Sequence, residues 1–151
     1  MVLAIVMGVR AYMTRGAISG PAPALDERAI DGARVSLGAM RGRPVLVHFW
    51  ATWCGVCRAQ ESNIASLAQD HDVITIAVRS GREPSVQREL RERGLTFPVV
   101  VDPSARIAGA WGVRAFPTDF VVAPDGEIAF TEAGYTTTLG LRFRLWASGV
   151  L

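Results

Sequence analysis

The chain has 151 residues, half of them apolar and a fifth charged, with a formal net charge of +2. That is enough for one globular domain with a real core but not for two, and the charge is too small to argue for a nucleic-acid partner. All 16 basic residues are arginine and there are 2 cysteines, which excludes lysine Schiff-base and P-loop chemistry, a structural disulfide framework and a four-cysteine zinc site.

Residues 1–13 open with an apolar run, Met1 to Val9, that Arg10 interrupts. The stretch is shorter than the roughly 20 apolar residues needed to span a bilayer. It also lacks the basic start and small-residue cleavage site of a signal peptide. The expectation is a partial membrane anchor or signal remnant whose beginning lies upstream of Met1. A degenerate anchor used as it stands and an ordinary N-terminal helix are the alternatives. Residues 14–24 cluster Gly and Pro without periodicity and read as a linker. A folded domain is expected over residues 25–151.

Asp31-Gly32 between Ala29-Ile30 and Arg34–Leu37 is a hairpin signal. Val45–Trp50 is nearly continuous apolar sequence, as for a strand buried on both faces. Residues 57–69 carry Ile64, Leu67 and Ala68 at helical spacing. Val73–Val78 is a β-branched strand. Pro84 suits a helix first turn, and Gly94 closes a charged helix over 85–93. Its mixed-sign charges read as a solvated face. A short strand is predicted over 97–101 and a short helix over 104–111. The strand 119–122, the turn at Pro124-Asp125-Gly126, a partner strand over 127–131 and a last helix over 139–147 complete the chain. Leu141, Leu145 and Trp146 are expected on one stripe of that helix, and Trp111 and Trp146 as core anchors. Strands and helices alternate first, and a hairpin and helix follow, which predicts an α/β domain with a mixed sheet.

Both cysteines fall in Trp53-Cys54-Gly55-Val56-Cys57, at the junction of a predicted strand and helix. A bridge across so short a loop adds little stability through chain entropy, so its use is redox chemistry. The thiolate is the nucleophile in disulfide exchange, and a helix N-terminus stabilises it. Cys54 at the junction is therefore the expected attacking residue. Cys57, one turn inside the helix, is expected to resolve the mixed disulfide. Arg58 adds positive charge, Trp53 offers a flat apolar surface to a substrate chain, and Trp50 lines the site from the strand end. Such a couple needs no cofactor. Copper(I) held on the two thiolates is an alternative reading, with His48 and His71 the only histidines available to extend a metal shell.

The phrase from Phe49 to Arg58 resembles the active site of thioredoxin-fold proteins, and its Thr52 resembles the TlpA/ResA branch in particular. The likeness extends through Gly112-Val113-Arg114-Ala115-Phe116-Pro117-Thr118 and Pro124-Asp125-Gly126, and covers most of the chain. It implies a thioredoxin-like fold with an N-terminal hairpin extension, and a thiol–disulfide oxidoreductase tethered to the inner membrane with its domain in the periplasm. It implies protein thiol or disulfide substrates, a membrane redox partner and a monomer. It makes Pro117 a cis proline facing the cysteines, with Phe116 and Thr118 beside it to dock substrate backbone. The terminal Gly134–Thr137 adds a narrower likeness to the suppressor for copper sensitivity D proteins. Two departures are visible. The central-strand position that is acidic in thioredoxin is His48, a candidate for proton transfer. The glutamate that the branch commonly carries three residues after the second cysteine is replaced by Gln60. Glu61 follows about 100° around the helix as a second candidate. A thiol peroxidase on the same fold is the other alternative, but the Pro-x-x-x-Thr-x-x-Cys pattern of peroxiredoxins is missing.

Overall fold

The computed structural model describes residues 1–150. In chain order the elements are α1 (Val2–Met13), β1 (Asp26–Arg28), β2 (Arg34–Ser36), β3 (Val45–Trp50), α2 (Gly55–Leu67), β4 (Asp72–Val78), α3 (Glu83–Arg93), β5 (Val99–Asp102), α4 (Arg106–Ala110), β6 (Thr118–Val122), β7 (Ile128–Ala133) and α5 (Thr138–Val150). The five-stranded sheet has the order β5-β4-β3-β6-β7. β3, β4 and β5 run parallel, β6 runs antiparallel to β3, and β7 antiparallel to β6. With helices on its faces this is the mixed α/β sheet of a thioredoxin-like fold.

β3 is the centre of the sheet and all six of its residues are buried. Alternation along the strand sends its side chains to opposite faces. Val45, Val47 and Phe49 join one core with Phe120 of β6 and with Ile107 and Trp111 at α4. Leu46 and Trp50 join the other with Cys57, Ile64, Leu141 and Leu145 from α2 and α5. His48 stands on that second face, the one polar residue of the strand.

The hairpin forms, but its first strand is β1 rather than Ala29-Ile30. The turn is wider than two residues: Ala29 N–H donates to the Ala33 carbonyl, while Ile30 N–H donates to Val99. Residues 17–22 lie along the domain. Ile18 N–H donates to the Trp111 carbonyl, Ala22 N–H to Gly126, and Ile128 N–H to Gly20, while Ala17, Ile18 and Ala22 pack on the first core. This strap crosses Gly112 so closely that a Cβ there would lie 1.9 Å from the Gly16 carbonyl oxygen, and Gly112 has φ +66°.

Three aromatic expectations are settled by the packing. Trp111 is fully buried, against Phe49 at 5.7 Å and Phe120 at 5.0 Å between ring centroids. Trp50 does not line the site: it is 1% exposed and donates its indole N–H to Thr75 Oγ1 at 3.2 Å. Trp146 is no core anchor. It follows buried Leu145 by about 100° of helix rotation, which turns it outward, where it is 63% exposed against Phe143.

No helix among the described residues is long and apolar enough to cross a membrane. α1 buries none of its side chains and is tied down by Arg10, which pairs with Glu132 at 2.8 Å and donates to the Tyr135 carbonyl. Gly112→Ala must lift the strap as well as strain a left-handed residue. A loss of about 1–3 kcal/mol is expected, read as a lower urea midpoint together with faster proteolysis within residues 14–22.

Candidate active site

β3 ends at Trp50, and four residues later Cys54 is the N-cap of α2, with extended backbone and its sulfur accepting the Cys57 N–H at 3.2 Å. The helix begins there because the Cys54 sulfur caps it by taking the Cys57 N–H, and Ile64 and Leu67 pull its inner face onto the sheet. Cys54 and Cys57 form a disulfide. Their surroundings differ. Cys54 is partly exposed, whereas Cys57 is 1% exposed. A sulfur at a helix N-terminus faces unpaired N–H groups and the positive end of the dipole, so negative charge on Cys54 is favoured.

The loop before β6 closes the other side. The Phe116–Pro117 peptide is cis, and the Phe116 carbonyl oxygen lies 3.7 Å from Cys54 Sγ. Among the described residues, neither the Ala115 nor the Phe116 N–H has a hydrogen-bond partner. Trp53 is 63% exposed, sets its ring edge-on to Phe116 at 5.8 Å, and donates its indole N–H to the Arg79 carbonyl. Thr118 is buried and turns its hydroxyl onto the Ala115 carbonyl at 2.8 Å, so its side chain braces the loop. Thr52, ahead of the cysteines, is held on both sides. Its N–H donates to Ser80 Oγ, and its carbonyl accepts from Arg93.

Beneath the disulfide lies a buried polar cluster. His48 Nδ1 is 2.6 Å from Asp119 Oδ1, and Gln60 donates to Asp119 Oδ2 at 2.8 Å. Gln60 Oε1 in turn accepts the Thr136 N–H at 3.1 Å. His48 is 3% exposed, Asp119 1% and Gln60 0%. β3 and β6 place the first two opposite one another in register, and Gln60 comes from α2, one turn beyond Cys57. Glu61 points elsewhere: its carboxylate is 2.5 Å from Arg93, the residue that also holds Thr52.

Sequence reasoning placed Cys54, Cys57, Trp53, Phe116 and Pro117 around one point, and the structure brings them together. It singled out His48 but missed Asp119, although a lone carboxylate in Thr118-Asp119-Phe120-Val121-Val122 was a usable signal. A charge in a buried strand needs a partner. Gln60 was marked only as the replacement for the branch's glutamate, and Arg93 and Ser80 carried no signal. Among the described residues no three His, Cys, Asp or Glu side chains converge as a metal site.

The family model for Redoxin matches residues 18–140. The chain belongs to the Redoxin family. It is 34% identical over 119 residues to a thioredoxin-like protein of Haemophilus influenzae, covering 78% of this chain and 71% of that one. It is 30% identical over 128 residues to the thiol-disulfide oxidoreductase ResA of Geobacillus thermodenitrificans, covering 82% of this chain and 74% of that one. Across these and other curated ResA relatives that it matches, the chain spans between 58% and 74% of their length. Among solved structures, a putative thioredoxin from Neisseria meningitidis superposes with a TM-score of 0.75 at 26% identity, over 87% of this chain and 91% of that one. With the Cys54/Cys57 pair in place, these likenesses make the protein a TlpA/ResA-like dithiol–disulfide oxidoreductase.

Asp119→Ala leaves His48 and Gln60 facing a void without their acceptor. Removing one partner of a buried pair costs about 3–5 kcal/mol. The oxidised variant is expected to lose that much in urea denaturation, and Asp119→Asn, which keeps an oxygen for Gln60, less.

Proposed function

We propose that the protein reduces disulfides in other proteins from the periplasmic side of the inner membrane, with Cys54 attacking and Cys57 resolving. The observation that carries the reading is the asymmetry of the pair, one sulfur partly open at a helix N-terminus and the other closed off behind it. In the reduced protein the Cys54 thiolate attacks one sulfur of the substrate, and the other leaves as a thiolate. Cys57 then attacks Cys54, releasing the second substrate sulfur and closing the Cys54–Cys57 disulfide. Two electrons pass from the protein to the substrate in each cycle. Another dithiol must return them, which in this reading is a membrane redox protein.

The free N–H and nearby carbonyl of Phe116 offer an extended substrate segment one rung of antiparallel pairing beside Cys54. Pro117 has no N–H to compete for it. Cys57 must lose a proton when it attacks, at a place water does not reach. We assign that proton to the His48–Asp119 couple, which lies on the same face of the sheet, linked to α2 through Gln60. Glu61 is committed to Arg93, and this favours His48 over it. Attachment to the membrane through residues 1–13 is supported by the exposed apolar residues of α1, from Val2 at 75% to Val9 at 51%. The narrower likeness to copper-sensitivity proteins suggests disulfides formed under copper stress as substrates.

Cys57→Ser is expected to trap a mixed disulfide through Cys54, visible as a mass increment that dithiothreitol removes, whereas Cys54→Ser traps none. Trapping through Cys57 alone would reverse the roles. The reduction potential of the pair is expected near that of thioredoxin, about −270 mV. A value near −120 mV, typical of strong oxidants, would make the protein a disulfide donor instead. His48→Gln is expected to slow the resolving step by about 10²-fold and leave the first attack unchanged, as followed by rapid acid quench.

A further inference from the structure

Beside Phe116 the surface opens into a cavity of about 310 Å³. Its floor is apolar, formed by Ala108, Gly109 and Val113, and Phe116 is its wall toward Cys54. Arg79 and Arg114 stand at its rim, both exposed. No carboxylate lines it, and neither arginine enters an ion pair among the described residues. The Arg79 backbone and the Arg114 side chain are each tied to a neighbour. The Arg79 carbonyl accepts the Trp53 indole N–H, and the Arg114 guanidinium lies against Gly16 of the strap. The wider site is basic in the same way, since Arg58 follows Cys57 on the exposed side of α2 with no acidic partner among the described residues. Seven of the other fourteen arginines pair with a carboxylate among the described residues; what sets these two apart is that both edge one apolar hollow next to the reactive sulfur, with no carboxylate lining it.

We infer that this groove is a specificity subsite for the substrate chain, taking an apolar side chain close to the disulfide cysteine and acidic residues flanking it. The inference rests on the thiol–disulfide reading above. A segment paired to the Phe116 backbone projects alternate side chains to either side, and one of them enters the hollow beyond the Phe116 ring. The rim charges then act mainly on the rate of encounter and on discrimination between partners. Their effect must fall as salt screens them.

The test uses the full chain, reduced beforehand, in single turnovers against synthetic peptides with one internal disulfide. Each peptide has a leucine beside one cysteine, flanked by two Glu, two Gln or two Lys. Oxidation of the protein is followed by tryptophan fluorescence. Each rate is divided by the rate at which dithiothreitol reduces the same peptide, which removes the peptide's own reactivity. At low salt the order Glu, Gln, Lys is expected, with about tenfold between the extremes. At 1 M salt, where the screening length is about 3 Å, the spread should collapse. The Arg79→Glu/Arg114→Glu double variant is expected to reverse the order. Gly109→Leu fills the hollow from a position where a Cβ meets nothing within 4 Å. It is expected to erase the advantage of leucine peptides over glycine ones. Equal normalised rates for all three peptides, or an order that the double variant leaves unchanged, would overturn the subsite while the oxidoreductase reading stands. If the reduced protein oxidises with none of the peptides, both fall.

Discussion

A carboxylate and an imidazole meet in the middle of a largely apolar sheet, and the geometry of the site depends on that meeting. Asp119 on β6 and His48 on β3 are register partners 2.6 Å apart, and Gln60 on α2 closes the second carboxylate oxygen. A one-residue slip of β6 would turn Asp119 to the opposite face, among Trp111, Phe49 and Val47, with no partner for its charge. The polar pair therefore acts as a register lock. Because Pro117 lies two residues before Asp119, the same lock fixes where the Phe116 carbonyl stands relative to Cys54.

The rest of the site is held by fewer, weaker ties from the other direction. Arg93 at the end of α3 binds both Glu61 and the Thr52 carbonyl, and Ser80 after β4 takes the Thr52 N–H. The loop that carries Trp53 and Cys54 is thus suspended between α3, the end of β4 and the helix it starts. Rigidity there matters for a thiolate at a helix N-terminus, since the stabilisation falls off within the first turn. The two carboxylates near the site have divided roles. The one in the helix, Glu61, is structural glue for the loop, and the one in the strand, Asp119, belongs to the buried cluster.

Charge separates the inside of this site from its outside. The interior beneath Cys57 holds a matched acid and base, whereas the surface around Cys54 carries Arg58, Arg79 and Arg114 without acidic partners among the described residues. A thiolate forming at Cys54 gains from both the helix end and this positive surface.

The sequence by itself determined the chemistry. Two cysteines in one strand-to-helix phrase admit one local disulfide, and the apolar run before them reads as a strand buried on both faces, so the redox pair and the α/β class were legible from spacing and element order, while the thioredoxin-like fold came from the resemblance. Pro117 and His48 came from the resemblance to thioredoxin-fold proteins, which marks one as the proline facing the cysteines and the other as the position that is acidic in thioredoxin. Other features were decided by the tertiary structure alone. Asp119 opposite His48, Gln60 reaching from helix to strand, Arg93 spanning to Thr52, and the strap lying across Gly112 all join residues far apart in the chain. Sheet register and helix rotation create those contacts, and a single sequence records neither. Trp146 marks the same boundary from the other side: one helical position, about 100° of rotation, separates a core residue from one facing solvent, and only the docked helix shows which way it faces.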